Sequence, residues 1–155
     1  TLFEIENHGL NHKPCSVDGE TAFGIKGTPS LPDAFDEIEA NERKIEILTK
    51  IRPRFFRSAT TFIDEACAKI AHQLKVDVVS FDVLAGDAIP FNHIEVIYKN
   101  VIDKIKPEAI VLMHFNHPEW NAYESLLKII PKLKEMGYNF AKLNKYKLKE
   151  RSSSK

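Results

Sequence analysis

Short apolar runs alternate with helix-period segments along almost the whole chain. Leu2, Phe3 and Ile5 predict a strand over 2–5 that ends in the polar turn 6–9. Residues 13–31 hold Gly19, Gly24, Gly27 and Pro29 among Ser and Thr, which predicts a loop. A helix should start near Ser30, a good N-cap followed by Pro32 and Asp33, with Phe35, Ile38, Ile45 and Leu48 at helical spacing. Phe55 and Phe56 predict a second strand. A helix over 61–74, capped by Thr61, would turn Ile63, Cys67, Ile70, Ala71 and Leu74 to one face.

The β-branched run 76–82 predicts a third strand, and 92–105 a helix with Ile94, Ile97, Val101, Ile102 and Ile105 inward. The apolar run 109–115 predicts a fourth strand. A helix over roughly 120–136 should stop at Gly137, and 138–143 should form a fifth strand. Alternation of this kind predicts an α/β fold with a parallel sheet and helices outside it, either open or most of a distorted (β/α) barrel. One domain would cover 1–144, and the basic, Ser-rich stretch 145–155 would fray. The chain opens at Thr1 and runs at once into apolar residues, so one or more strands are expected to precede it.

Composition narrows the partners. The 155 residues are 43% hydrophobic and 28% charged, a globular profile long enough to bury a core. Twenty-two basic residues balance 22 acidic ones, so no basic field exists to attract nucleic acid. No run approaches the roughly 18 apolar residues that span a bilayer. Cys15 and Cys67 are too few for a disulfide framework and read as small buried residues, leaving the compartment open.

In parallel α/β folds, working residues lie at the C-terminal ends of strands. The predicted first strand ends at His8 and His12, the second at Arg57, the third at Asp82 with Asp87 beyond, and the fourth at His114. Packing alone would not require ionisable groups at consecutive strand ends. In a helical turn, histidines four apart share one side and could hold one zinc ion, though surface pairs at that spacing are common. A catalytic zinc takes three protein ligands, so a third, a carboxylate, must come from elsewhere. The stretch 37–50 reads as a solvated, charge-paired helix face, and Asp87 as a loop charge. Asp82 reads as a partner of His114 or Arg57.

These segments together resemble the NodB-like polysaccharide deacetylases (carbohydrate esterase family four). IENHGLNH looks like the family's His-x-x-x-His motif, PRFFRSATTFID like its Phe-Arg-x-Pro-Tyr segment, and VVSFDVLAGD like its next aspartate-bearing strand end. IVLMHFN and KEMGYNFAKL resemble its closing Leu-x-His strand and final strand. The resemblance implies metal ligation by His8 and His12, tuning of a catalytic aspartate by Arg57, and general-acid catalysis by His114. It implies an acetyl pocket walled by Leu112 and an oxyanion donor among the N–H groups near Ala59 or Thr60.

The family's Thr-Phe-Asp-Asp motif, source of the catalytic base and the aspartate ligand, is absent and is expected upstream; these residues alone should then be inactive. Ser58 and Ala59 replace the Pro-Tyr, and Ala88-Ile89 replaces an expected Trp. Trp120 could take over sugar stacking or simply anchor its helix. The expected activity is zinc-dependent removal of N-acetyl groups from amino sugars of a polysaccharide at the cell envelope. An O-acetyl esterase and an inactive carbohydrate-binding relative are the alternatives.

Overall fold

The computed structural model describes residues 3–150. Two compact units divide the chain: Thr1–Ser80 with Lys142–Lys155, and Phe81–Ala141.

In the first unit, the loop expected over 13–31 contains a small antiparallel hairpin, β1 (Thr21–Ala22) and β2 (Ile25–Lys26). Helix α1 (Leu31–Thr49) starts where the cap predicts, with Ser30 Oγ accepting from Asp33 N. Its buried stripe is Ala34, Glu37, Ile38 and Glu42, whereas Leu48 is 82% exposed and Phe35 is exposed too. The expected stripe holds at Ile38, with Ile45 half-buried, and fails at Phe35 and Leu48 because two glutamates turn inward. Glu42 meets Arg52 Nε at 2.5 Å, so 37–50 is not simply a solvated face.

Strand β3 (Phe55–Phe56) pairs in parallel with β4 (Asp77–Val78). Residues 3–5 form no strand, and Leu2 lies outside the described residues. The Glu6 carboxylate accepts from Arg54 N and Phe55 N, both at 2.9 Å, and so takes donors that a neighbouring strand would use. Pairing begins only at Asn7, bridged in parallel to Phe56.

Helix α2 (Glu65–Gln73) starts later than predicted. Thr60 and Thr61 adopt left-handed φ of 56° and 60° within a 3-10 turn, Ala59–Thr61, and Asp64 is the true cap. Cys15, Ala34, Ile38, Phe56, Cys67, Ile70, Ala71 and Val76 form this unit's core. The two thiols are buried there as expected; contact with Cys15, then burial, pushes the Cys67 pKa far up, which makes it a poor nucleophile.

The run 76–82 is not one strand. The β3–β4 ladder ends at Val79 N, which donates to Phe56 O, while Asp82 N and Val83 N turn to Ile110 O and start a new pair. In the second unit, β5 (Val83–Leu84) pairs in parallel with β6 (Val111–Leu112). Helices α3 (Ile94–Ile102) and α4 (Ala122–Glu135) pack on each other. Val83, Ala85, Ile97, Val101, Ile129 and Leu133 form the core, with Ile102 and Ile105 partly buried against it, so the inward positions expected over 92–105 hold at all but Ile94.

Gly137, at φ +88°, closes α4 as predicted, with Tyr138 N donating to Leu133 O. That turn occupies the start of the expected strand 138–143, which does not form; Leu143–Lys145 is a 3-10 turn instead. Of the tail, 151–155 lie outside the described residues. The fold is α/β with parallel pairing, as the alternation predicts, but the sheets among the described residues are two-stranded and no closed barrel is seen. No described helix is long and apolar enough to cross a membrane.

Candidate functional site

The parallel bridge between Asn7 and Phe56 puts His8 and Arg57 side by side at one end of the ladder. Asn7 N donates to Phe55 O and Arg57 N to Asn7 O, both at 3.0 Å. His8 Nδ1 then lies 2.5 Å from Arg57 O. A carbonyl oxygen only accepts, so Nδ1 carries the proton, and a neutral His8 ring keeps its lone pair on Nε2.

The His8 and His12 rings lie 4.9 Å apart at 83°. The structure therefore brings the pair together, but not by the helical turn that the spacing suggested, since 8–12 is irregular backbone. Gly9, at φ +90°, and His12, at φ +54°, bend the segment back on itself. A Cβ on Gly9 would collide with the Glu37 carboxylate, so glycine is required there twice over.

That carboxylate is only 1% exposed. It accepts from Asn11 N (3.0 and 3.1 Å), Asn11 Nδ2 (3.2 Å) and Lys13 N (3.0 Å), while the Glu37 carbonyl accepts from Leu10 N. Buried Asn7 completes the frame: its side chain donates to Ile38 O and accepts from Gly9 N and Asn41 Nδ2. Glu37 escaped the sequence reading because a charged helix position normally faces water. Its one signal was the i, i+3 relation to Ala34 on the buried stripe.

Arg57 is half-buried, and burial lowers its pKa from the ordinary guanidinium value. Among the described residues no carboxylate lies within ion-pairing distance of it. A desolvated cation so placed suits an anionic partner. Ser58 does not replace the missing proline idly: its Oγ accepts from Cys15 N at 2.9 Å.

In the second unit, His114 follows β6. Its backbone N donates to Asp87 Oδ2 at 2.5 Å, and its Nδ1 lies 3.3 Å from Asp87 Oδ1. Asp87 is 1% exposed, so it is no loop charge. It is the partner of His114, a role the sequence reading gave to Asp82. Asp82 instead accepts from Ile110 N at 3.0 Å and pairs with Lys106 at 3.0 Å, which ties down the start of the β5–β6 pair.

Leu112, half-buried, sits on β6 with its carbonyl accepting from Ala85 N. Trp120 stacks on His117 at 3.7 Å and 9°, so one face of the indole is already covered. His117 Nδ1 meets Glu119 at 3.0 Å.

The chemistry of the donor set fits a divalent metal in part. Two imidazoles stand close together, and His8 is oriented by a carbonyl on its far nitrogen, as metal-bound histidines usually are. Among the described residues no group of three or more His, Cys, Asp or Glu could hold an ion, so a further ligand is required.

No family model and no curated protein matches the chain. Solved structures do. A CE4 family pseudoenzyme from Bacillus anthracis, BA3943, is 29% identical over 87% of this chain, with a TM-score of 0.73. The Bc1960 peptidoglycan N-acetylglucosamine deacetylase is 23% identical over 90%, with a TM-score of 0.75. A family 4 acetyl xylan esterase from Clostridium thermocellum, in complex with cobalt, is 24% identical over 92%, with a TM-score of 0.71. The chain spans 43% of the first of these, 61% of the second and 62% of the third. The resemblance carried by the motifs is thereby borne out: this chain is similar, over most of its length, to the CE4 family of carbohydrate deacetylases and esterases.

Proposed function

We propose that this chain carries most of the catalytic machinery of a metal-dependent hydrolase that removes N-acetyl groups from amino sugars of an envelope polysaccharide, with zinc as the metal. The observation that carries the reading is the adjacent His8–His12 pair, with His8 oriented by Arg57 O, in a chain similar to CE4 structures. That likeness in fold also supports the distorted barrel expected from the alternation.

A divalent ion held by His8, His12 and an aspartate outside these 155 residues would polarise the acetyl carbonyl and acidify a water. Arg57 holds the catalytic aspartate ionised by placing an unpaired cation beside it. An N–H near Ala59 or Thr60 donates to the developing oxyanion, a contribution of about 3 kcal/mol. His114, held at Nδ1 by Asp87, delivers its Nε2 proton to the leaving amine. Leu112 walls the acetyl methyl, and Trp120 offers its uncovered face to a sugar ring.

The test is acetate release by a zinc-loaded polypeptide that joins these residues to the aspartate-bearing segment. Release from a GlcNAc polymer, with none from the 155 residues alone, is the expected result. Release only from O-acetylated xylan would select the esterase instead. A second reading has its own support, since the structure from Bacillus anthracis is a pseudoenzyme: glycan binding with no acetate release from either substrate would make this chain an inactive carbohydrate-binding relative.

A further inference from the structure

We propose that Glu37 is the positioning residue of the histidine pair: its buried carboxylate sets the backbone of residues 10–13 and so aims the His12 imidazole at the ion that His8 shares. The inference rests on the metal reading above and adds a residue outside the motifs that carried it.

The geometry is that of an anion in a cup of peptide N–H groups. Asn11 N and Lys13 N both point at the Glu37 carboxylate, and the residue between them, His12, has φ +54°. L-residues avoid that conformation; successive N–H groups converge on one anion when the residue between them adopts it. Glu37 therefore imposes on His12 a backbone that the free loop would not keep. Gly9 shows the same constraint from the other side, because any side chain there would displace the carboxylate. No cation pairs with Glu37 among the described residues, so the N–H groups of residues 11 and 13 and the Asn11 amide are its observed compensation. A buried ionised carboxylate is a costly anchor for a loop that needed only burial. It is a suitable one for a loop that must hold two imidazoles 4.9 Å apart.

The experiment compares the wild-type chain with Glu37→Gln and with Glu39→Gln, a control at a half-buried glutamate of α1 whose carboxylate pairs with Arg43. Amide exchange at Asn11 and Lys13, and the ring-to-ring contact of His8 and His12, are followed by NMR without metal; zinc alone is then titrated against the two imidazole signals. Glu37→Gln should speed exchange at both amides at least tenfold, abolish the ring contact and weaken zinc binding about tenfold or more. Exchange at Ile70 and Val76 should be unchanged, and Glu39→Gln should behave as wild type. A merely structural Glu37 would lower the melting temperature and leave the affinity of the folded protein for zinc untouched, and that result overturns the proposal. Rapid wild-type exchange at Asn11 and Lys13 overturns it without any variant, should Glu37→Gln not fold. Zinc that moves neither imidazole in wild type defeats the metal reading instead, and the role of Glu37 in placing the rings is then decided by the exchange and ring-contact data alone.

Discussion

His8 gives its Nδ1 proton to a peptide carbonyl, whereas His114 meets a carboxylate at the same ring atom. Both rings are half-buried and both follow a strand or bridge, yet their surroundings prepare them for different work. A neutral carbonyl fixes a tautomer without adding charge, which leaves an imidazole suited to coordinate a cation. The Asp87 carboxylate fixes the same tautomer and also complements the positive charge the ring carries whenever Nε2 is protonated. Under the proposed function, similar side chains would serve as ligand or acid according to what lies behind them.

Exchanging the two roles should be costly. In an active, zinc-loaded protein, His114→Ala should lower kcat by about 10²-fold or more while zinc content stays at wild type. His8→Ala should do the reverse in kind, losing zinc first and activity as a consequence. Steady-state kinetics alongside metal analysis separates the two; zinc lost equally from both variants would erase the distinction drawn here. Asp87→Asn belongs with His114, and its kcat should fall with no loss of metal.

The loop that carries His8 and His12 should be the more brittle of the two regions. Gly9→Ala must put a Cβ into the Glu37 carboxylate at φ +90°, so it should destabilise the first unit by about 2 kcal/mol, within the range for a strained left-handed position. Urea denaturation would measure it, and a change under 0.5 kcal/mol would mean that the loop relaxes freely.

How far the sequence reaches follows the same division. Strand ends are legible in part: Arg57 follows β3 and His114 follows β6, close to where the apolar runs stop, whereas Asp82 stands between two ladders and residues 3–5 form no strand. The backing of the imidazoles was not legible. Asp87 and Glu37 are distant in sequence from the imidazoles they support, and both lie where a charge ordinarily meets water. Asp82 was preferred to Asp87 because the run 76–82 reads as one strand. Nothing in a β-branched run reveals that its ladder changes partner between Val79 and Asp82. The strand expected over 138–143 failed for a local reason, since the Gly137 turn claims its first residue.

The smallest expected effect concerns the scaffold behind the first region. Asp64 caps α2 through Cys67 N at 2.7 Å and holds the chain just past the histidine loop through Val17 N at 2.8 Å. Partial burial alone would raise its pKa, but these N–H donors outweigh it and hold the carboxyl below its ordinary value of 3.8. A folded-state pKa below the unfolded one means stability that is complete above the unfolded value and lost as pH falls through the folded value. Wild type should therefore keep the full contribution at pH 7, begin to lose it as pH approaches 4, and lose the rest below that. Asp64→Ala should cost about 1 kcal/mol at neutral pH, the usual scale of a lost cap, and Asp64→Asn less, since its amide oxygen can still cap Cys67 N. Both variants should converge toward wild type in strongly acidic solution, because the protonated aspartate has already given up what they lack. Thermal melts of the three proteins at neutral and acid pH would decide it: a gap that persists undiminished below pH 3 would show that the Asp64 charge contributes nothing, and that shape alone places the segment behind His12.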